Sequence, residues 1–369
     1  MKNRASLEEC FLLLSCLLFF SCTRSSSPAV DSTESILSYA KGFAIKIEHG
    51  DTTLYVNTNP RIKVEIGKGT RSHNDTVLCI QTPPQRIVCL STTHLAFLGA
   101  LGFNEAIVGV AGGQFVTSPF IRTAIQSSKI LDVGQIPNLD IEAIIQLQPD
   151  LVLGYSNSSL LPDYYFLFQH LNIPVLLCNE YLEAHPLGRS EWIKFFGYLL
   201  KSHSRADEIF DSISYSYTQL AQRSLNTPHY TPTVLLNLPW KGVWYIPSDS
   251  SYMSQLIRDA GAISIIGTKF HGTTSRALAI EDVIVDGMSA DYWLHPSNID
   301  SLNQLVKYRD FKSVIKKHVY NHCLDSEGND FYESGVLLPH IILQDLLRIF
   351  HPEWDETAKN PLLFYKELH

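Results

Sequence analysis

The stretch Pro84-Gln-Arg-Ile-Val-Cys-Leu-Ser-Thr-Thr-His-Leu-Ala-Phe-Leu-Gly-Ala-Leu-Gly102 sets the fold class. Residues 86–90 form a short apolar run that reads as a strand, and residues 93–101 read as a helix closed by Gly102. The alternation continues outward. A strand at 107–110, a helix at 139–147 stopped by Pro149, a strand at 151–155, a helix at 164–170 and a strand at 174–178 follow in turn. Strands alternating with helices predict a mostly parallel sheet built from βα units. Helices at 191–200 and from Ala206 to about Gln222 come next, the second with Ile209, Phe210, Ile213, Tyr217 and Leu220 at helical spacing. Pro228 and Pro232 then break the chain, and the alternation resumes at 234–238.

Upstream, residues 43–80 are strand-like, with His49-Gly50-Asp51 as a turn, which predicts a small β-hairpin or meander before the main body. The first 22 residues differ. Lys2 and Arg4 precede an apolar run at 11–20, too short for a spanning helix, which ends Phe19-Phe20-Ser21-Cys22. A small residue before Cys at the end of such a run resembles a bacterial lipoprotein signal, so Cys22 is the expected lipidation site. Leu14-Ser15-Cys16 competes, but a cut there leaves a much shorter apolar run. Residues beyond Cys22 are rich in Ser, Thr and Pro, as a tether is. Cys79, Cys89, Cys178 and Cys323 would remain in the mature chain, with spacings that match no zinc or redox motif.

The chain carries an internal echo. Leu139-Asp-Ile-Glu142-Ala-Ile-Ile, leading to Asp150-Leu-Val-Leu-Gly-Tyr, is answered by Leu278-Ala-Ile-Glu281-Asp-Val-Ile, leading to Asp291-Tyr-Trp-Leu-His-Pro. Either segment alone is an ordinary amphipathic helix start with Glu favourable in the first turn. Two such segments, each before an Asp-led strand, predict two similar lobes. The expected fold is therefore α/β, with two Rossmann-like lobes joined by a single long helix and an N-terminal β-hairpin extension. The expected boundaries are 1–21 signal peptide, 22–35 lipid-anchored tether, 36–82 β extension, 83–203 N-terminal lobe, 204–227 connecting helix and 228–369 C-terminal lobe.

Composition excludes several classes. With 369 residues, 29 Lys+Arg against 37 Asp+Glu and a net charge of -8, neither disorder nor nucleic-acid binding is expected. Ser-Thr-Thr-His after the first strand lacks the glycines of a dinucleotide-binding turn, and no nucleophile elbow or phosphate-binding loop occurs. Nothing argues for a catalytic triad, so an enzyme is not expected.

Residues 84–102, Val108-Gly-Val110, Val133-Gly134 and 139–153 together resemble the substrate-binding proteins of ABC importers for cobalamin, iron-siderophores and haem, whose lobes are joined by one rigid helix. The resemblance runs from about Tyr39 to Pro352. Residues 191–200, 244–260 and 330–335 also look like a lipoprotein branch of that family. It implies a periplasmic receptor, lipid-anchored to a bacterial membrane, that binds a small-molecule metal chelate without catalysis and delivers it to an ABC permease dimer with its ATPase. No cofactor is implied, although the cargo itself would contain iron or cobalt. In the family, one exposed Glu per lobe docks on Arg-lined permease pockets, and Glu142 and Glu281 match those positions. The ligand sits between the lobes, against loops that here contain Thr93, His94, Gln114, Tyr155, Tyr181, Trp240, Trp244 and Tyr245, with Tyr252 nearby.

Each candidate has a plainer reading. The aromatics at 240, 244, 245 and 252 taken singly suit a core, but four within thirteen residues exceed what a loop needs. Trp293, inside an apolar strand, reads as core. His94 and His271 are metal-ligand candidates, as is Tyr181 for haem iron, whereas a lone His is more often a hydrogen-bonded structural residue. Two rival functions remain: a surface glycan-binding lipoprotein, which has no reason for paired docking carboxylates, and a free-metal-ion binder of the same fold, which needs about four converging ligands.

Overall fold

The computed structural model describes residues 37–48, 51–58, 61–66, 77–156, 160–225, 230–296, 299–322, 330–354 and 361–369. The signal segment, Cys22, the tether and most of the His49-Gly50-Asp51 turn lie outside the described residues.

The extension is a four-stranded sheet of β1 (Phe43–Glu48), β2 (Asp51–Val56), β3 (Ile62–Ile66) and β4 (Val77–Ile80), in that order. Period-two patterning builds it: Leu54, Val56, Ile62 and Val64 are buried, while Lys63 and Glu65 pair with each other at 2.6 Å. It is more than a hairpin or meander, because β4 runs parallel to β3. Two buried carboxylates tie its leading edge to the body. Glu191 accepts the N–H groups of Ser38, Tyr39 and Ala40 at 2.7–2.8 Å, and Glu183 those of Lys41 and Gly42.

The first lobe follows as β5 (Ile87–Cys89), α1 (Thr92–Ala100), β6 (Ile107–Val110), α2 (Pro119–Gln126), β7 (Leu131–Asp132), the small pair β8 (Gly134–Gln135) and β9 (Asn138–Leu139), α3 (Ile141–Gln146), β10 (Leu151–Gly154), α4 (Asp163–His170) and β11 (Val175–Leu177). Its sheet has the order β11-β10-β5-β6-β7, every pair parallel. Helices cover both faces of such sheets, which is why β5, β10 and β11 are unbroken apolar runs.

Helix α5 (Pro186–Leu199) then packs along α6 (His203–Leu225), a 23-residue helix about 34 Å long. Phe210, Ile213 and Tyr217 form the buried stripe of α6, on the spacing its sequence shows.

The second lobe comprises β12 (Thr233–Leu236), β13 (Trp244–Pro247), α7 (Tyr252–Asp259), β14 (Ile263–Ser264), β15 (Ser275–Leu278), α8 (Ile280–Gly287), β16 (Tyr292–Leu294), α9 (Lys312–Ile315), β17 (Val319–His322), α10 (Pro339–Phe350) and β18 (Tyr365–Glu367). Its main sheet runs β14-β12-β16-β17-β18, with β18 antiparallel, and β13 and β15 form a separate antiparallel pair. Counted within its own sheet, the first lobe has the order 3-2-1-4-5 and the second 2-1-3-4-5. Both are doubly wound, but only the first is the Rossmann order. The lobes are thus less alike than the sequence echo implies.

Candidate functional site

In a doubly wound sheet, chain connections diverge at the switch point, and ligands bind beyond the carboxyl ends of the strands there. The switch lies between β5 and β10 in the first lobe and between β12 and β16 in the second. Residues just past these strands meet in one cavity of about 340 Å³: Ser91, Thr92 and Thr93 after β5, Asn237 after β12 and His295 after β16. Asn237 and His295 both take left-handed backbone, at φ 63° and 58°, as each strand turns sharply into its loop.

One wall is polar. Glu180 is 1% exposed and accepts a hydrogen bond from Thr93 Oγ1 at 2.5 Å, and Thr93 Oγ1 lies 2.8 Å from Ser91 Oγ. Burial works against the Glu180 charge, yet the facing His94 ring and the Thr93 hydroxyl hold its carboxyl below the usual range. Arg189 from α5 completes this wall. It donates Nη2–H to the Tyr181 carbonyl at 2.7 Å and Nε–H to the Glu183 carbonyl at 3.2 Å, and it stacks over Tyr252 at 3.7 Å. These contacts fix the fork in place.

The opposite wall is aromatic. His295 and His322 lie 3.9 Å apart, His322 stacks on Phe331 at 4.1 Å, and Tyr332 stands at the mouth. Burial pushes His322 down to about 3, and burial with the neighbouring His322 pushes His295 well down, so both rings stay neutral at physiological pH. A cavity with hydroxyls and a guanidinium on one side and flat rings on the other suits an amphipathic ligand with oxygen acceptors and a planar or apolar face. Among the described residues, no three His, Cys, Asp or Glu side chains converge as a metal cage.

Of the candidates drawn from the sequence, Thr93, Tyr181 and Tyr252 line the cavity. Six others are placed elsewhere. Trp244 is fully buried in the core of the second lobe, its indole N–H donated to the Leu236 carbonyl, because it alternates inward on β13. His94 is also fully buried, 3.7 Å behind Glu180, so it reaches no ligand directly. Trp240, beneath Lys241, and Tyr245 face solvent, 61% and 41% exposed, outside the cavity lining. Gln114 is exposed on the turn after β6. Tyr155 packs edge-on against Tyr181, behind the lining rather than in it. His271 is exposed and pairs with Asp249 at 2.7 Å. Trp293 is core, as its strand implied.

Sequence reasoning missed Arg189, Asn237, His295, His322, Phe331 and Tyr332. Two signals pointed to some of them: His295 ends the second echo, and Phe331-Tyr332 lies in a segment that shared the family resemblance. Glu142 and Glu281 are exposed, each in the first turn of its helix, α3 and α8.

Residues 87–322 match the family model described as periplasmic binding protein. An uncharacterized lipoprotein of Methanocaldococcus jannaschii is 25% identical over 76% of this chain and 68% of its own. Two solved structures share the fold. A component of an Fe3+-hydroxamate ABC-type transport system from Saccharomonospora viridis has a TM-score of 0.57 at 19% identity, covering 76% of this chain and 98% of that one. A periplasmic haem-binding protein from Roseiflexus sp. RS-1 has a TM-score of 0.56 at 19% identity, covering 73% and 99%. With the family model spanning both switch points and every strand of the two parallel arrays between them, the chain belongs to the periplasmic binding protein family.

Proposed function

We propose that this protein is the substrate-binding component of an ABC importer, which holds a metal chelate in the cavity between its lobes and passes it to a permease dimer. The observation that carries this reading is the cavity built from strand-end loops of both sheets, polar on one wall and aromatic on the other. Its volume falls within the range of small-molecule sites, about 300–1,000 Å³. The side chains around it supply hydrogen bonds and flat surfaces rather than a set of metal ligands, which favours an ion that arrives inside its own organic chelator: a ferric siderophore, haem or a corrinoid. Binding without chemical conversion fits the same inventory. Lipid attachment through Cys22 would keep the receptor beside its permease, with Glu142 and Glu281 as the docking carboxylates.

Purified protein titrated with haemin, cobalamin, a ferric hydroxamate and a ferric catecholate, followed by absorbance and calorimetry, tests this directly. One chelate should bind at one molecule per chain, and Arg189→Lys should weaken it. Failure of all four to bind, with a bare divalent ion or a glycan binding instead, would overturn the reading.

A further inference from the structure

Ser91 stands where helix α1 begins, and a Ser at that position ordinarily turns its hydroxyl oxygen onto the first free N–H groups of the helix. Here it does not. The Ser91 carbonyl accepts the His94 N–H at 3.3 Å, but the hydroxyl caps no N–H of α1 and lies 2.8 Å from Thr93 Oγ1 instead. Thr93 Oγ1 is in turn 2.5 Å from Glu180 Oε1. Ser91, Thr93 and Glu180 thus form a row, and all three line the ligand cavity.

Counting protons along the row fixes its direction. An ionised carboxylate has lone pairs and no proton, so the hydrogen in the Thr93–Glu180 contact is the Thr93 hydroxyl proton. Against the cost of burial, the facing His94 ring, 3.7 Å away, and the Thr93 hydroxyl keep Glu180 in that ionised form. Thr93 has no second hydroxyl proton. The hydrogen in the 2.8 Å contact must therefore come from Ser91, whose own proton then points at Thr93. What the two hydroxyls have left for a ligand is lone pairs alone.

The start of the helix reinforces this. A helix N-terminus favours negative charge, and α1 has no acidic residue in its first turn. Glu180, 1% exposed and bonded to Thr93, supplies that charge from another segment of the chain. A ligand carboxylate placed at the pair would meet lone pairs with the Glu180 charge directly behind them, and like charges at close range repel.

We infer that the Ser91–Thr93 hydroxyl pair selects a neutral N–H or O–H donor on the cargo and rejects a carboxylate, with Glu180 as the positioning residue that sets the direction of both hydroxyls. Arg189, on the same wall, carries donors only. A primary amide, which has both N–H groups and an oxygen acceptor, matches the two kinds of group on this wall. The inference rests on this cavity holding the cargo, so one arm of its test needs no ligand.

That arm is neutron diffraction from deuterium-exchanged crystals of the full chain. Deuterium is expected between Thr93 and Glu180 and between Ser91 and Thr93. A Ser91 deuterium aimed into the cavity, or a Thr93 deuterium aimed at Ser91, would overturn the inference. The second arm measures matched probes by calorimetry: haemin against its bis-amide, and cobalamin against derivatives in which one peripheral amide at a time is hydrolysed to a carboxylate. In a series that binds, exchanging amide for carboxylate should weaken affinity about tenfold or more at one position at least. Equal affinity throughout, or tighter binding of the carboxylates, would overturn the inference. Thr93→Val keeps the shape but frees the Ser91 proton, so the preference should fall to about twofold, and Thr93→Ser should restore it. Thermal unfolding checks that each variant is folded. Glu180→Gln, whose amide can donate to Thr93 and reverse the row, replaces Thr93→Val if that variant is not. An unchanged preference in the variant used counts against the row. If no probe binds, the reading of the cavity as the ligand site falls, while the deuterium positions still decide the direction of the hydroxyls.

Discussion

Asp150 and Asp291 do the same work in the two lobes: each carboxylate accepts main-chain N–H groups at the entrance to its lobe's first strand. Asp150 takes those of Gln85 and Arg86 at 2.9 and 2.8 Å, and Asp291 takes the N–H and hydroxyl of Thr233 at 2.9 and 2.7 Å. Each sits just ahead of the strand that pairs with that first strand across the switch point. The Asp that leads each half of the sequence echo is therefore a clamp that sets where the central strands begin.

A pH-dependent loss of stability follows at Asp291. Burial opposes its ionisation, but hydrogen bonds from Lys312, Tyr230 and Thr233 prevail and hold the carboxyl down to about 2, against an ordinary 3.8. A depressed acid stabilises the fold fully above its unfolded value, and that stability is lost as pH falls from about 4 towards 2. Asp291→Asn should cost about 2 kcal/mol at neutral pH, and the difference from the parent should shrink in acid. Urea unfolding at both pH values measures it, and equal stability at pH 7 would count against the clamp.

Trp244 and Arg189 should separate stability from binding. Trp244→Ala empties a fully buried site and should cost about 3–5 kcal/mol of folding stability. Arg189→Lys keeps the charge but loses the rigid fork, so its main effect should be a roughly tenfold weaker chelate affinity. Calorimetry on both variants decides, and a binding defect at Trp244 without loss of stability would place the ligand elsewhere.

Glu142 and Glu281 are exposed in the first turns of α3 and α8, neither of them in the cavity lining. Charge reversal to Lys at both should leave chelate affinity within about twofold and abolish uptake, since like charges across an interface cost several kcal/mol. Full uptake by the double variant would reduce the pair to ordinary helix starts.

Cys22→Ala should release the protein from the membrane or leave its precursor unprocessed. Fractionation with labelled palmitate reports both, and normal maturation with unchanged attachment would exclude this residue as the anchor.

Much of the fold could be read from the chain because parallel strands buried on both faces leave apolar runs, and helices leave their own spacing. Residues 86–90, 107–110, 151–155 and 174–178 were all strand-like, and each contains an observed strand. The parallel pairing of β4 with β3 left no such trace, since pairing partners are set by contacts between distant segments.

The sequence by itself determined the alternation of strands and helices, the echoed Glu and Asp positions and the loops that follow β5 and β11, because these depend on local pattern and order along the chain. Only the tertiary structure decided which side chains face the cavity. Trp244 and Tyr245 are neighbours in sequence, but the strand's two-residue period turns one into the core and the other to solvent. Arg189 comes from a helix interior, and Phe331 from a segment far along the chain, and both reach the site through packing that no local pattern encodes.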